Sequence, residues 1–239
     1  METIALHWTD HLLFVIIGVV IPLTAGRNSR EQMKNLKFNS RLKQAVYFGN
    51  SLFLWALAGA ALLVWWFNGR SWSDLGLVWP PPSWDQISIY IVVVFGLLYV
   101  IDTFTELMSG ETQEETRQEM ITELGFLPAN AKEYSQFIVL ALSAGICEEI
   151  VFRGYFLRYF QLLFGYDDPT YTVAILLSAI IFGLVHAYQG WRAMIKVTAM
   201  AVMFGFIFVR VESLFGLMVI HAVIDLLGGA VAWYLLRKK

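Results

Sequence analysis

Seven long apolar runs alternate with short polar stretches along the chain. They cover about Thr9–Ala25, Gln44–Phe67, Gln86–Glu106, Tyr134–Phe160, Thr172–Ala187, Ala193–Val209 and Leu214–Leu236. A helix needs roughly 20 apolar residues to cross the hydrocarbon core of a bilayer. Each run therefore predicts a span, the first of them interrupted by Pro22 near its end. The short alternating segments of a transmembrane barrel do not occur. The pattern predicts an all-α, polytopic transmembrane helix bundle of about seven spans (seven to eight).

Composition agrees. Of 239 residues, 58% are hydrophobic and only 15% charged, well below the charge of a soluble domain. A net charge of −2 argues against a nucleic-acid partner. Cys147 is the single cysteine, which excludes an internal disulfide and a cysteine-rich metal cluster. The first apolar run lacks a basic leader and a distinct cleavage site, so it reads as a retained span. Gly154, Gly183, Gly205, Gly228 and Gly229 predict close helix contacts.

Charge then sets orientation. Arg27, Arg30, Lys34, Lys37, Arg41 and Lys43 stand against one acid, Glu31, and the chain ends Arg237-Lys238-Lys239. The positive-inside rule puts both segments in the cytoplasm. The expected topology is a multi-pass protein of the cell membrane with its N-terminus outside and its C-terminus cytoplasmic. Residues 107–133 are acidic (Glu111, Glu114, Glu115, Glu119, Glu123) and predict a cytoplasmic surface helix stopped by Gly125 and Pro128. It serves either as a solvated linker or as a gate beside an active site. Two parts result: residues 1–133, N-terminal spans plus the acidic linker, and residues 134–239, a helical core.

That core holds charges an apolar span should not contain. An ionised side chain near a bilayer centre costs about 2.5–3.5 kcal/mol on the lenient insertion scale, so such groups face a protein interior or water. Glu149 and Arg153 are four residues apart, stacked on one helix face and able to pair. Glu148 points about 100° away and is left to face something else. His186 closes the motif 182-FGLVH-186 at the end of the fifth span. His221 and Asp225, again four apart, would let the carboxylate orient the imidazole. Asp102 and Glu106 at the end of the third span are interfacial charges or additions to the site. A glutamate and two histidines supply a base, a polariser and a hydrogen-bond donor. Glu148, His186 and His221 would also suit zinc, although the two-histidine zinc-hydrolase signature is absent.

The order Glu-Glu-x-x-x-Arg, Phe-x-x-x-His, His-x-x-x-Asp, carried by Glu148, Glu149, Phe152, Arg153, Gly154, Phe182, His186, His221 and Asp225, resembles the CPBP family of intramembrane proteases. That family comprises CAAX prenyl proteases of the Ras-converting type and bacterial Abi and bacteriocin-processing proteins. The resemblance covers about residues 134–236, and 74-DLGLVWP-80 is similar to a segment often found before the core. It implies hydrolysis of a peptide bond by an activated water, without cofactor. The implied catalytic residues are Glu148, Glu149, Arg153, His186, His221 and Asp225. Glu148 would be the base, His186 would hold the water, and His221 would stabilise the oxyanion. The implied partners are a peptide or membrane-protein substrate and the lipid bilayer. The alternatives are a zinc-dependent protease, a proton-coupled carrier, and a non-catalytic immunity or scaffold protein.

Overall fold

The computed structural model describes residues 5–24, 31, 35–108, 110–165 and 169–237. Of the predicted basic clusters, Arg27, Arg30, Lys34, Lys238 and Lys239 lie outside the described residues, as does the side chain of Glu106. Among the described residues eight long helices follow one another: α1 (Trp8–Thr24), α2 (Ser40–Phe67), α3 (Gln86–Met108), α4 (Gly110–Glu123), α5 (Ala131–Phe164), α6 (Thr170–Val185), α7 (Trp191–Val211) and α8 (Phe215–Leu236). No strand occurs among the described residues.

Five helices, α2, α3, α5, α7 and α8, are long and apolar enough to cross a membrane; α1 and α6 are shorter and apolar. The chain is thus a multi-pass helical membrane protein, and seven spans fit it. The fourth predicted span is longer than expected, 34 residues, and the fifth ends at Val185, just before His186. Local chemistry sets the ends. Asn39 and Asn130 each accept a backbone N–H of the first turn of α2 and α5, as N-caps do. Gly190 starts α7 at φ +97°, a conformation glycine adopts without steric cost. The polar helix α4 buries no side chain, as predicted for a surface helix.

The central element is α5, which packs its first half between α2 and α8 and its second half against α6. Gly145 and Gly154 let neighbours approach, as predicted for Gly154. A Cβ on Gly145 would stand 2.8 Å from Ala222 N and 2.9 Å from Met218 O, and one on Gly154 3.0 Å from Leu75 O. In lipid, where apolar surface gains little by pairing, such close contacts hold helices together. The helix does not break. It widens, with Glu149–Phe156 π-helical and all eight of those residues buried.

Two buried ion pairs brace the bundle, the first of them touching this segment through Tyr155. Arg70 makes 2.8 and 2.6 Å bonds to the two oxygens of Asp10, and Tyr155 donates to the same carboxylate at 2.9 Å. Lys43 donates to Glu133 at 3.0 Å and to the Leu127 carbonyl at 2.7 Å. Lys43 therefore helps join α2 to α5 as well as adding to the basic stretch.

Candidate active site

The widened turn of α5 presents Glu149 and Arg153 to the interior. Arg153 Nη1 donates to Glu149 Oε1 at 2.8 Å, as the four-residue spacing predicts. The guanidinium lies over the rings of Phe182 (4.5 Å to the centroid) and Phe204 (5.2 Å), which shields the charge and adds cation–π attraction. Ser178 on α6 donates to the Phe152 carbonyl at 2.7 Å and ties α6 to the widened turn.

Helix lengths bring the first histidine to the glutamates. From Glu149 the chain runs outward through two eight-residue segments to Phe164, and α6 returns over 16 residues. The return of α6 brings its end to the level of Glu148. His186 caps that end. Its Nδ1 lies 2.7 Å from the Phe182 carbonyl. A carbonyl only accepts, so Nδ1 carries the proton and Nε2 presents a lone pair. That Nε2 stands 3.9 Å from Glu148 Oε2.

Helix α8 supplies the second histidine. It runs antiparallel to the first half of α5, with Tyr134 donating to the Leu226 carbonyl and Gly145 seated on Ala222. His221 Nδ1 lies 2.7 Å from Glu149 Oε1, and its Nε2 3.7 Å from Glu148 Oε2. The two glutamates therefore divide roles. Glu149 accepts from both Arg153 and His221; Glu148 faces the Nε2 atoms of both histidines at a separation that one water oxygen can bridge.

Asp225 stands beside the same His221 imidazole. Its carboxylate stands 3.8 Å from His221 Nε2, beyond hydrogen-bond distance, and Glu149 holds the opposite ring nitrogen. Spacing along α8 allows the pair to meet, but a carboxylate from another helix reaches Nδ1 first. Asp102 lies away from the site, paired with Lys196 at 2.7 Å.

Tyr188 was not singled out in the sequence. It sits on the short 3₁₀ turn Ala187–Gln189, its ring near-parallel to that of His186 at 6.2 Å. Its only sequence signal is its place two residues beyond the motif histidine. Among the described residues no group of three or more His, Cys, Asp and Glu side chains is arranged to hold a metal ion.

A match to known proteins falls on this region. Residues 130–227 match the Rce1-like family model, described as type II CAAX prenyl endopeptidase Rce1-like. This segment is similar to that family. The match begins at Asn130, the N-cap of α5, and ends two residues after Asp225, so it contains all six predicted site residues. It is the family that the three motifs resemble, and it supports a membrane-embedded endopeptidase of the CAAX-protease type. No curated protein and no solved structure matches the chain.

Proposed function

We propose that the protein is an intramembrane endopeptidase in which Glu148 and His186 hold and activate a water. The observation that carries this reading is Glu148 Oε2 lying 3.9 Å from His186 Nε2 and 3.7 Å from His221 Nε2. A water between Glu148 and His186 donates one hydrogen to the carboxylate and the other to the imidazole lone pair. Its oxygen then attacks the peptide carbonyl carbon as Glu148 takes the proton. His221, held at Nδ1 by Glu149, offers Nε2–H to the oxyanion when it is an imidazolium. As the C–N bond breaks, Glu148 passes its proton to the leaving nitrogen. Arg153 donates to the same Glu149 oxygen that accepts from the imidazole. Asp225 faces the same Nε2 at 3.8 Å. The Rce1-like match supports peptide hydrolysis as the activity class. The basic segments favour an N-terminus outside the cell membrane and a cytoplasmic C-terminus.

The experiment is cleavage of a fluorogenic peptide panel, prenylated and unprenylated, by detergent-purified protein beside Glu148→Ala, each with and without chelator. Cleavage lost in the variant and indifferent to chelator is the expected outcome. Loss on chelation with recovery on adding zinc would favour a metal site instead. No cleavage, together with ion-coupled flux in proteoliposomes, would favour a carrier.

A further inference from the structure

The site is rich in hydrogen-bond acceptors and poor in donors. Glu148 and Asp225 are carboxylates, and His186 presents a lone pair at Nε2. Arg153 is committed to Glu149, only 2% exposed, and covered by the rings of Phe182 and Phe204. Of the motif residues, His221 alone offers a proton, at Nε2, to the space before Glu148. A peptide brings a carbonyl acceptor with every residue. An acceptor taken out of water without a donor costs free energy, so one donor serves an entering chain poorly.

Tyr188 supplies a second donor beside this space. It lies on the turn Ala187–Gln189, between α6 and α7 and outside both. Its ring stands 27° from parallel with that of His186, the centroids 6.2 Å apart, and also meets Phe126 at 6.4 Å. Phe126 is itself fixed, because its carbonyl accepts from Tyr47. The Gln189 amide donates to the Tyr188 oxygen at 3.0 Å. That bond fills a lone pair of the hydroxyl and leaves its hydrogen to be given elsewhere. Among the described residues no acceptor takes that hydrogen. Burial above all, and then the charges of Glu148 and Asp225, push the phenol up to about 12 against the Gln189 bond. Both carboxylates are therefore within electrostatic reach of the hydroxyl, which stays neutral.

The spacing fits an extended peptide. Carbonyls on one edge of an extended chain recur every second residue, about 6.7 Å apart. The step from the His186 ring to the Tyr188 ring is 6.2 Å. A chain whose scissile carbonyl lies before Glu148 and the two histidines passes its next carbonyl on that edge beside Tyr188. We propose that Tyr188 is a further substrate-binding residue, its hydroxyl donating a hydrogen bond to the main-chain carbonyl two residues from the bond that is cut. This rests on the proteolytic reading and adds to it the contact that sets the register of the peptide in the site. Because the contact is to main chain, it asks for an extended backbone there and not for a particular side chain.

The test is Tyr188→Phe in the full chain, which keeps both ring contacts and removes only the hydroxyl. The probes are a fluorogenic peptide and copies of it in which one amide at a time becomes a trans-alkene. On the unmodified peptide KM should rise about three- to tenfold, the worth of one hydrogen bond. The kcat should stay within about twofold, because the contact is made equally in the ground state and the transition state. Wild type should lose at least that factor on the alkene peptide altered two residues from the cut, and there Tyr188→Phe should lose nothing more. Equal KM for variant and wild type, or losses that add on every alkene peptide, would overturn the contact. A fall in kcat alone would overturn it too, since Tyr188 would then act through His186. Peptide affinity per folded molecule is also measured by fluorescence anisotropy in a Glu148→Gln background, with and without Tyr188→Phe. The second substitution should weaken binding by about three- to tenfold. If wild type cleaves no peptide, the proteolytic reading fails, and this binding still judges the hydroxyl: no binding, or binding indifferent to Tyr188, overturns the contact.

Discussion

His221 is held by Glu149, not by the aspartate on its own helix: Nδ1 lies 2.7 Å from Glu149 Oε1, whereas Asp225 is 3.8 Å from Nε2. The same Glu149 oxygen accepts from Arg153, so one carboxylate couples α5 to α8 at the site. Glu149→Gln weakens both bonds at once and leaves a buried guanidinium without its counter-charge. Activity should fall by about 10²–10³-fold, and stability by about 3–5 kcal/mol, as when one partner of a buried pair is removed. Asp225→Asn should keep activity within about tenfold and leave thermal stability nearly unchanged. Peptide cleavage measured beside a thermal melt of each variant decides; equal losses at both positions would return the orienting role to Asp225.

Glu148 behaves differently because its contacts to both imidazoles exceed hydrogen-bond length. Among the described residues no hydrogen bond between helices rests on it. Glu148→Gln conserves shape and removes one of three carboxylates around the site. The expected outcome is loss of cleavage by about 10²–10⁴-fold, the usual contribution of a general base, with a melting temperature equal to or above that of the wild type. A melting temperature that falls with the activity would make Glu148 a structural group.

How much of this was legible in the sequence depends on whether a contact lies within one helix or between two. The pairing of Glu149 with Arg153 followed from their spacing and was found as expected. The meeting of Glu148 with His186 needed the true ends of α5 and α6. The bond from Glu149 to His221 had no local signal, since it depends on how far α8 slides along α5, and Gly145 against Ala222 sets that slide. The π-helical widening likewise left no recognised pattern. Asp10 and Arg70 passed unnoticed although each is a charge beside an apolar run, the rule that picked out the site residues.

Gly145 therefore carries a prediction of its own. A methyl group there meets the backbone of α8 at 2.8–2.9 Å, and backbone cannot rotate aside as a side chain does. Gly145→Ala should force α5 and α8 apart by a few tenths of an ångström, cost about 1–3 kcal/mol as overpacking does, and lengthen the bond from Glu149 to His221. Cleavage should fall with it. Gly59→Ala is the matched control, because nothing lies within 4 Å of its added Cβ. Equal melting temperatures for the two variants would show that α5 and α8 tolerate separation.

The Asp10–Arg70 pair tests whether the bundle can be weakened without touching the chemistry. Arg70 is buried, its guanidinium lies 4.8 Å from the Trp65 ring centroid, and it makes two bonds to Asp10 and one to the Ala5 carbonyl. Asp10 is fully buried and bonded also by Tyr155, one turn beyond Val151 on the widened segment. Arg70→Met keeps the length of the side chain and deletes the charge, leaving a buried carboxylate with only the neutral donors of His7 N–H, Asn68 and Tyr155. The expected cost is about 3–5 kcal/mol. The double variant Arg70→Met with Asp10→Leu should recover most of it, because an apolar pair of similar volume often replaces a buried ion pair without loss. Turnover per folded molecule should stay near wild type in the double variant, since no site residue bonds to either position. A double variant that melts like wild type yet fails to cleave would mean that this pair sets the position of the widened turn, and with it Glu149, from the far end of the bundle.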